Sequence, residues 1–425
     1  MSLPFDLETA LATARTSVGS KLSPLPKDDV DLVETGALDS MGWVDTLIGI
    51  ESATSIRDFG NPWPDERPKS IRALADMIHE AQKPTPDEST GERRIAGTPD
   101  KWETLIAGWG YTLGSLTVNA EQIESELSLP LRKIRDGAGI ESVRLAADGE
   151  DELGLAQRAA DIALEMADVP VERIDFLVAT STTFLGFPSF AASLHSRLLL
   201  RETSGALDVG GACAGLIYSL AMAKSLLRTR SQGVALVVAS EVHSRRLSAP
   251  QVPGEFRGLF GDGACAFILM NVANAAQSGR VRLQEFIWGC SGTFASSLGV
   301  KISDSAGLNI QFKGEQLAHA AVIEMDRIIG TLENLSAKPR SEVDYFALHQ
   351  PNPRVVEILA EKAKIPLERI PLVSKACGNL GSVTCGASLC QALTSLQMSP
   401  DHPRTPLIFM AAVAPGLLWG GAFLN

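Results

Sequence analysis

Residues 206–227 read ALDVGGACAGLIYSLAMAKSLL, and the fold turns on how this stretch is interpreted. ALDVG is short and suited to a buried strand, whereas Leu216, Ile217, Leu220, Met222 and Leu227 recur at helical spacing. Gly210, Gly211 and Ala212 lie between the two patterns. Cys213 therefore falls at a strand-to-helix turn, where unpaired N–H groups and the positive end of the helix dipole favour a thiolate. Small neighbours leave a reactant room to approach. A buried structural cysteine is the alternative, because free cysteine is among the most buried residue types.

Outward from this stretch, strand and helix patterns alternate. Strands are expected at 104–106, 175–181, 205–209, 235–240, 264–270, 344–348, 407–412 and 422–424, with helices at 152–166, 213–229, 314–331, 352–363 and 388–396. That alternation predicts an α/β domain with helices on both sheet faces. A faint duplication accompanies it: the strands DFLV and DYFAL, starting at Asp175 and Asp344, each follow a helix and a polar spacer. Residues 407–424 carry no charge and are long enough for a membrane span, yet Pro415, Gly416, Gly420 and Gly421 break the run. Two buried strands joined by a tight turn are expected instead.

Upstream, residues 1–82 read as a small helical unit with helices at 5–22, 41–56 and 70–81, the last N-capped by Ser70. This unit holds 14 Asp+Glu against 7 Lys+Arg, so net −7 of the chain's −12 sits there. Asp39 and Ser40 stand at a helix start, where an N-cap serine is the plain reading of Ser40. Residues 83–101 are polar and proline-rich, and read as a linker. At 425 residues at least two domains are expected. The acidic balance and the absence of a Lys/Arg cluster argue against a nucleic-acid partner. Six cysteines, with no basic and apolar leader at the start, suggest a reduced, cytoplasmic protein. Cys377, Cys385 and Cys390 match no zinc spacing, so no metal is expected.

Two further polar residues are placed where strands end. His349 closes DYFAL in LHQPNPR, and Asn379 lies in the glycine-flanked CGNLG. Taken singly, each has an ordinary reading: a satisfied structural histidine, and a turn asparagine.

Together with Cys213 they carry a resemblance. DVGGACAGLIYSLAMA, FGDGACAF, LHQPNPR, CGNLGS and WGGAFL match in order and spacing the signature segments of β-ketoacyl-acyl-carrier-protein synthase III, over residues 102–425. The resemblance implies a thiolase fold of two βαβαβαββ halves, about 102–275 and 276–425, stacked in five layers and usually homodimeric. It implies Cys213 as nucleophile, His349 and Asn379 as the decarboxylation pair, and the Cys213 and Gly416 N–H groups as the oxyanion hole. Phe187 resembles the residue bounding the acyl pocket of the opposite subunit. Asn352 and Arg354 match residues lining the pantetheine tunnel, and Arg257 approximates a phosphate contact. The implied reaction is decarboxylative condensation of an acyl group on Cys213 with a malonyl thioester, in fatty-acid, polyketide-type or specialised lipid biosynthesis.

Residues 1–82, with Asp39-Ser40-Met41, resemble acyl carrier proteins, in which the serine bears 4′-phosphopantetheine attached by a phosphopantetheinyl transferase. Two departures bear on substrate. The family's three glycines before its final Trp are here Ala414-Pro415-Gly416, and Lys133 and Gly137 stand about where it places Trp and Arg against coenzyme A. The substrate is expected as a thioester of coenzyme A or of a carrier, with the acyl group on Ser40 or a separate carrier as one replacement for coenzyme A. Two other readings keep the same residues: an acyltransferase delivering the Cys213 acyl group to an alcohol or amine, and a papain-like hydrolase with the order Cys, His, Asn. The acyltransferase has no need of the His349–Asn379 pair, and the hydrolase's Cys-Gly-Ser-Cys-Trp context is absent. A non-catalytic carrier-binding scaffold would not require the triad.

Overall fold

The structure is a computed structural model that describes residues 7–19, 22, 24–32, 35, 37–54, 56, 68–81, 102–248, 252–273, 281–291, 298–303, 307–312, 314–397 and 406–425. The segment read as a linker, 83–101, lies outside the described residues. The chain divides into two compact units, Met1–Thr98 with Lys313–Ile323, and Pro99–Phe312 with Glu324–Asn425.

In the first unit, α1 (Leu7–Gly19), α2 (Ser40–Thr54) and α3 (Ile71–Ala81) enclose a core of Ala10, Ala14, Val18, Trp43, Leu47, Ile50, Ile71, Leu74 and Ile78. These residues lie three and four positions apart on each helix, as an amphipathic stripe requires. Ser70 Oγ accepts the Ala73 N–H at 3.2 Å and caps α3 as expected. A bidentate Arg15–Asp28 pair, at 2.9 and 2.6 Å, fastens α1 to the loop before α2.

The second unit opens with β1 (Glu103–Leu113), β2 (Leu116–Asn119), α4 (Ala120–Glu126), α5 (Arg135–Ala138) and β3 (Ser142–Leu145). There follow α6 (Glu152–Ala167), β4 (Phe176–Thr180), α7 (Phe190–Arg197), β5 (Gly205–Asp208), α8 (Gly215–Leu227), β6 (Val234–Val242), α9 (His243–Arg246), α10 (Gly254–Arg257) and β7 (Asp262–Val272). The second half holds β8 (Leu283–Cys290), β9 (Leu298–Ser303), β10 (Gly307–Phe312), α11 (Gly314–Ser336), β11 (Tyr345–Leu348), α12 (Pro353–Ala363), α13 (Ser374–Cys377), α14 (Val383–Gln397), β12 (Ile408–Ala414) and β13 (Leu418–Leu424).

The duplication read from DFLV and DYFAL is visible in the sheets. One runs β1-β7-β6-β4-β5, the other β8-β13-β12-β11. In each, a parallel pair (β4 with β6, β11 with β12) is followed by two antiparallel neighbours. Among the described residues the second sheet has no counterpart of β5.

Layering follows from side-chain alternation along the strands. Val178, Val237, Ala239 and Phe267 of the first sheet and Ala347, Met410, Ala412 and Ala422 of the second share one core with α8 and α14, which lie between the sheets. The opposite face of the first sheet, Leu177, Leu236, Val238 and Ile268, packs on α6 and α7. Beyond the second sheet, Gly421 abuts Ile328 of α11. The central strands are buried on both faces, which accounts for their continuous apolar sequence. The uncharged 407–424 run is β12 and β13 around a turn at Pro415–Leu417, and no helix among the described residues is long and apolar enough to cross a membrane.

Candidate active site

Cys213 occupies a single 3₁₀ turn, Ala212–Ala214, between β5 and α8. Ala212 has φ +45°, a left-handed conformation that costs an alanine energy and that clusters at functional turns. The turn packs against β12 and β13, which Pro415–Leu417 connects. In that connection Gly416 has φ +79° and Leu417 φ +45°, so both stretches expected to supply oxyanion donors are sharply kinked. A Cβ on Gly416 or on Gly210 would meet no atom within 4 Å, so open space adjoins both positions.

His349 follows β11 directly, its N–H donating to Ala411 O at 2.9 Å, which fixes its place at the end of the parallel pair. Asn379 is held from the other side: its N–H donates to Leu259 O (2.8 Å), and its carbonyl accepts from the Gly261 N–H (3.0 Å). The Asn379 Oδ1 accepts from the Gly381 N–H at 2.9 Å and from Thr384 Oγ1 at 3.4 Å. With the oxygen committed, the amide turns its Nδ2 donors the opposite way. His349 lies beside this loop at Gly381, whose backbone acts on its ring, and Gly381 is also where the ring of His243 packs.

Electrostatics correct one expectation. Burial pushes the Cys213 thiol up to about 12, and the charge of Glu241 adds to this. The backbone N–H of Cys213 itself opposes the rise without cancelling it. Cys213 thus rests as a thiol: desolvation of the charged form outweighs the turn's amides. For His349, burial holds the imidazole down at about 4, with His243 contributing in the same direction and the Gly381 backbone opposing. The ring is neutral at ordinary pH, and its buried Nδ1 has no hydrogen-bond partner among the described residues.

The other expected positions have local contacts of their own. Asp39, not Ser40, caps α2, its Oδ1 accepting the Gly42 N–H at 2.7 Å. Ser40 is the first residue of α2, and its side chain lies outside the described part. Asn352 caps α12, its Oδ1 accepting the Val355 N–H at 3.0 Å, with Pro353 at the first helical position. Arg354 pairs with Glu357 at 3.1 Å, and its Nε is buried without a partner. Pro353 and Arg354 pack on Gly139, just after α5, while Arg257 ends α10. Phe187 is fully exposed in the loop between β4 and α7. Among the described residues no cluster of His, Cys, Asp and Glu could hold a metal ion.

Glu241 and His243 were not read from the sequence. They end β6 and begin α9 as Ser-Glu-Val-His, and the signal was available: an acid terminating the apolar run ALVVAS is a buried charge that needs partners.

Two mixed sheets that carry a cysteine on a kinked turn, a neutral imidazole after β11 and a carboxamide before α14 fit a thiolase-fold condensing enzyme. Residues 207–290 match the family described as 3-oxoacyl-[acyl-carrier-protein] synthase III, and residues 335–425 its C-terminal model. A β-ketoacyl-[acyl-carrier-protein] synthase III of Cereibacter sphaeroides is 31% identical over 329 residues, spanning 76% of this chain and 98% of the relative. One from Alkalilimnicola ehrlichii is 30% identical, spanning 75% and 98%. The crystal structure of the Pseudomonas aeruginosa enzyme superposes with TM-score 0.67 at 25% identity, over 76% of this chain and 98% of that one. The chain belongs to the 3-oxoacyl-[acyl-carrier-protein] synthase III family. OleA of Xanthomonas campestris, at 18% identity, TM-score 0.66 and coverage of 76% and 98%, shares the fold.

Proposed function

We propose that residues 102–425 carry out the family's decarboxylative condensation with Cys213, His349 and Asn379 as the reacting set, and that residues 1–82 are a fused carrier domain bearing 4′-phosphopantetheine on Ser40. The protein is a condensing enzyme of the 3-oxoacyl synthase III type in fatty-acid biosynthesis, and its similarity to OleA suits a specialised lipid product. The observation that carries the assignment of roles is the meeting of His349 with the Asn379 loop at Gly381, with the Asn379 oxygen already committed to that loop.

The chemistry proceeds in two halves. Sulfur attacks the acyl thioester, the Cys213 S–acyl bond forms, and the thiol proton leaves with the departing thiol. A malonyl thioester then loses CO₂, and the electron pair of the broken C–C bond moves onto the thioester oxygen. A neutral His349 and the Asn379 Nδ2 donors would hold that charge, each as an N–H donor. The enolate carbon attacks acyl-Cys213. The resulting oxyanion falls to the N–H groups of Cys213 and Gly416, and collapse forms the 3-oxoacyl thioester and expels the cysteine sulfur as a thiolate, which takes a proton from water to regain the thiol.

For the donor, a carrier fits better than coenzyme A. The cations around α5 are paired internally: Lys133 with Glu255 at 3.6 Å, Arg132 with Asp136 at 2.8 Å and Arg135 with Glu121 at 2.6 Å. Little charge is left there for a nucleotide's phosphates, and no aromatic ring stands at 133 or 137 for an adenine. A second subunit, with Phe187 of one bounding the acyl pocket of the other, completes the proposal.

Intact-mass spectrometry tests it, after treatment with a phosphopantetheinyl transferase and a panel of acyl donors. Ser40 should gain the arm and Cys213 the acyl group. Cys213→Ala should lose the acyl adduct, and Asn379→Ala should keep it without condensing. Near-native condensation by Asn379→Ala would remove that residue from its role.

A further inference from the structure

Glu241 lies at the end of β6 with no exposed surface, and both of its oxygens are in use. Oε2 accepts from the Thr182 N–H (2.9 Å), the Thr182 hydroxyl (2.8 Å) and the Thr183 N–H (3.1 Å). Oε1 accepts from Ser382 Oγ at 2.6 Å. Thr182 and Thr183 begin the loop leading to Phe187, and Ser382 belongs to the CGNLGS loop that holds Asn379. The same carboxylate acts electrostatically on the Cys213 thiol. One buried group thus touches two walls of the site and reaches the nucleophile through its field, without being placed to meet substrate.

We propose that Glu241 is a positioning residue for the condensation: its carboxylate ties the Thr182–Phe190 loop to the Asn379 loop, and its charge bears on Cys213. This rests on Cys213 being the nucleophile. A charge is the economical choice here, since one carboxylate oxygen can take three donors while the second takes the serine, whereas an amide would turn an NH₂ toward one of them. The cost of burying it is offset by four short hydrogen bonds. The same charge makes the thiolate harder to form, so the resting enzyme holds a protected thiol.

Other groups around the cysteine do not duplicate this effect. β12 and β13 contain no titratable side chain. On α8, Tyr218 donates to Gly289 O and Trp419 O, and Lys224 to Gln284 O. His243 faces Gly261 O (3.2 Å) and the ring of Phe260, His349 faces Gly381, and Arg246 donates to Thr183 O. The buried His349 ring is neutral at pH 8, and Glu241 is the charge the test varies.

The test measures iodoacetamide labelling of Cys213 at pH 8 by peptide mass spectrometry, which separates it from the exposed Cys290. Glu241→Gln keeps the shape and removes the charge, and should label at least about threefold faster than the parent, as a larger thiolate fraction requires. Glu241→Asp keeps the charge but shortens the tie by one methylene, and Ser382→Ala removes one donor. Both should label at the parental rate while their condensation kcat falls severalfold. Parental labelling by a folded Glu241→Gln would overturn the proposal, as would full condensation by both of the other variants. If Glu241→Gln does not fold, that last pair decides. The nucleophile assignment is tested separately: condensation by Cys213→Ala would sink it whatever Glu241 does, while an inactive Cys213→Ala beside a parentally labelled Glu241→Gln sinks the present proposal alone.

Discussion

Acidification should leave His349 working well below the pH at which an ordinary histidine fails. Its pKa is held down to about 4, chiefly by burial, from an ordinary value of 6.5. At pH 5.5 an ordinary imidazole is about 9% neutral, whereas one with a pKa of about 4 is about 97% neutral, a tenfold difference in the competent form. The condensation rate should therefore hold down to pH 5.5, with an acid limb nearer 4 than 6.5. Stability carries the matching signature. Below pH 6.5 the unfolded chain takes up a proton that the native ring refuses until pH 4, so the contribution is complete above 6.5 and is lost as pH falls through that window. The loss is about 1.4 kcal/mol per pH unit and about 3 kcal/mol in all. Initial rates from pH 4.5 to 8 and urea unfolding of the parent and His349→Asn over the same range measure both. An acid limb at 6.5 in the parent, together with identical pH dependence of unfolding in the two proteins, would refute the argument.

Three further outcomes are expected. Gly416→Ala has space for its methyl but not the conformation, since φ is +79°; it should cost about 1–2 kcal/mol in thermal unfolding and lower condensation more than acylation of Cys213, measured as turnover against adduct formation. Gly261→Ala drives a Cβ into the Cys377 carbonyl and disturbs the Gly261–Asn379 hydrogen bond, so its melting temperature should fall by several degrees with loss of activity. Asp39→Ala removes the cap of α2 and should cost the first unit about 1 kcal/mol, seen by circular dichroism melting; on the carrier proposal it should also slow phosphopantetheinylation at Ser40.

The sequence by itself determined the thiolase-fold class and singled out Cys213, His349 and Asn379 as candidates. Period-two and period-3.6 patterns are local, so β4, β6, β7, β11 and β12 were legible, and so were the strand-to-helix turn at Cys213 and the Ser70 cap. Less apolar strands such as β2, β3 and β8 carried too weak an alternation to be seen. Which serine, asparagine or acid satisfies which backbone group was not local at all. The α2 cap fell to Asp39 because a cap depends on one residue's dihedral angles, and Asn352 proved to be a cap for the same reason. Tertiary structure alone decided the charge states. Helix-end amides favour a thiolate and can be read from a turn, but the desolvation that overrides them, and the Glu241 carboxylate that reinforces it, come from parts of the chain the turn's own sequence does not contain.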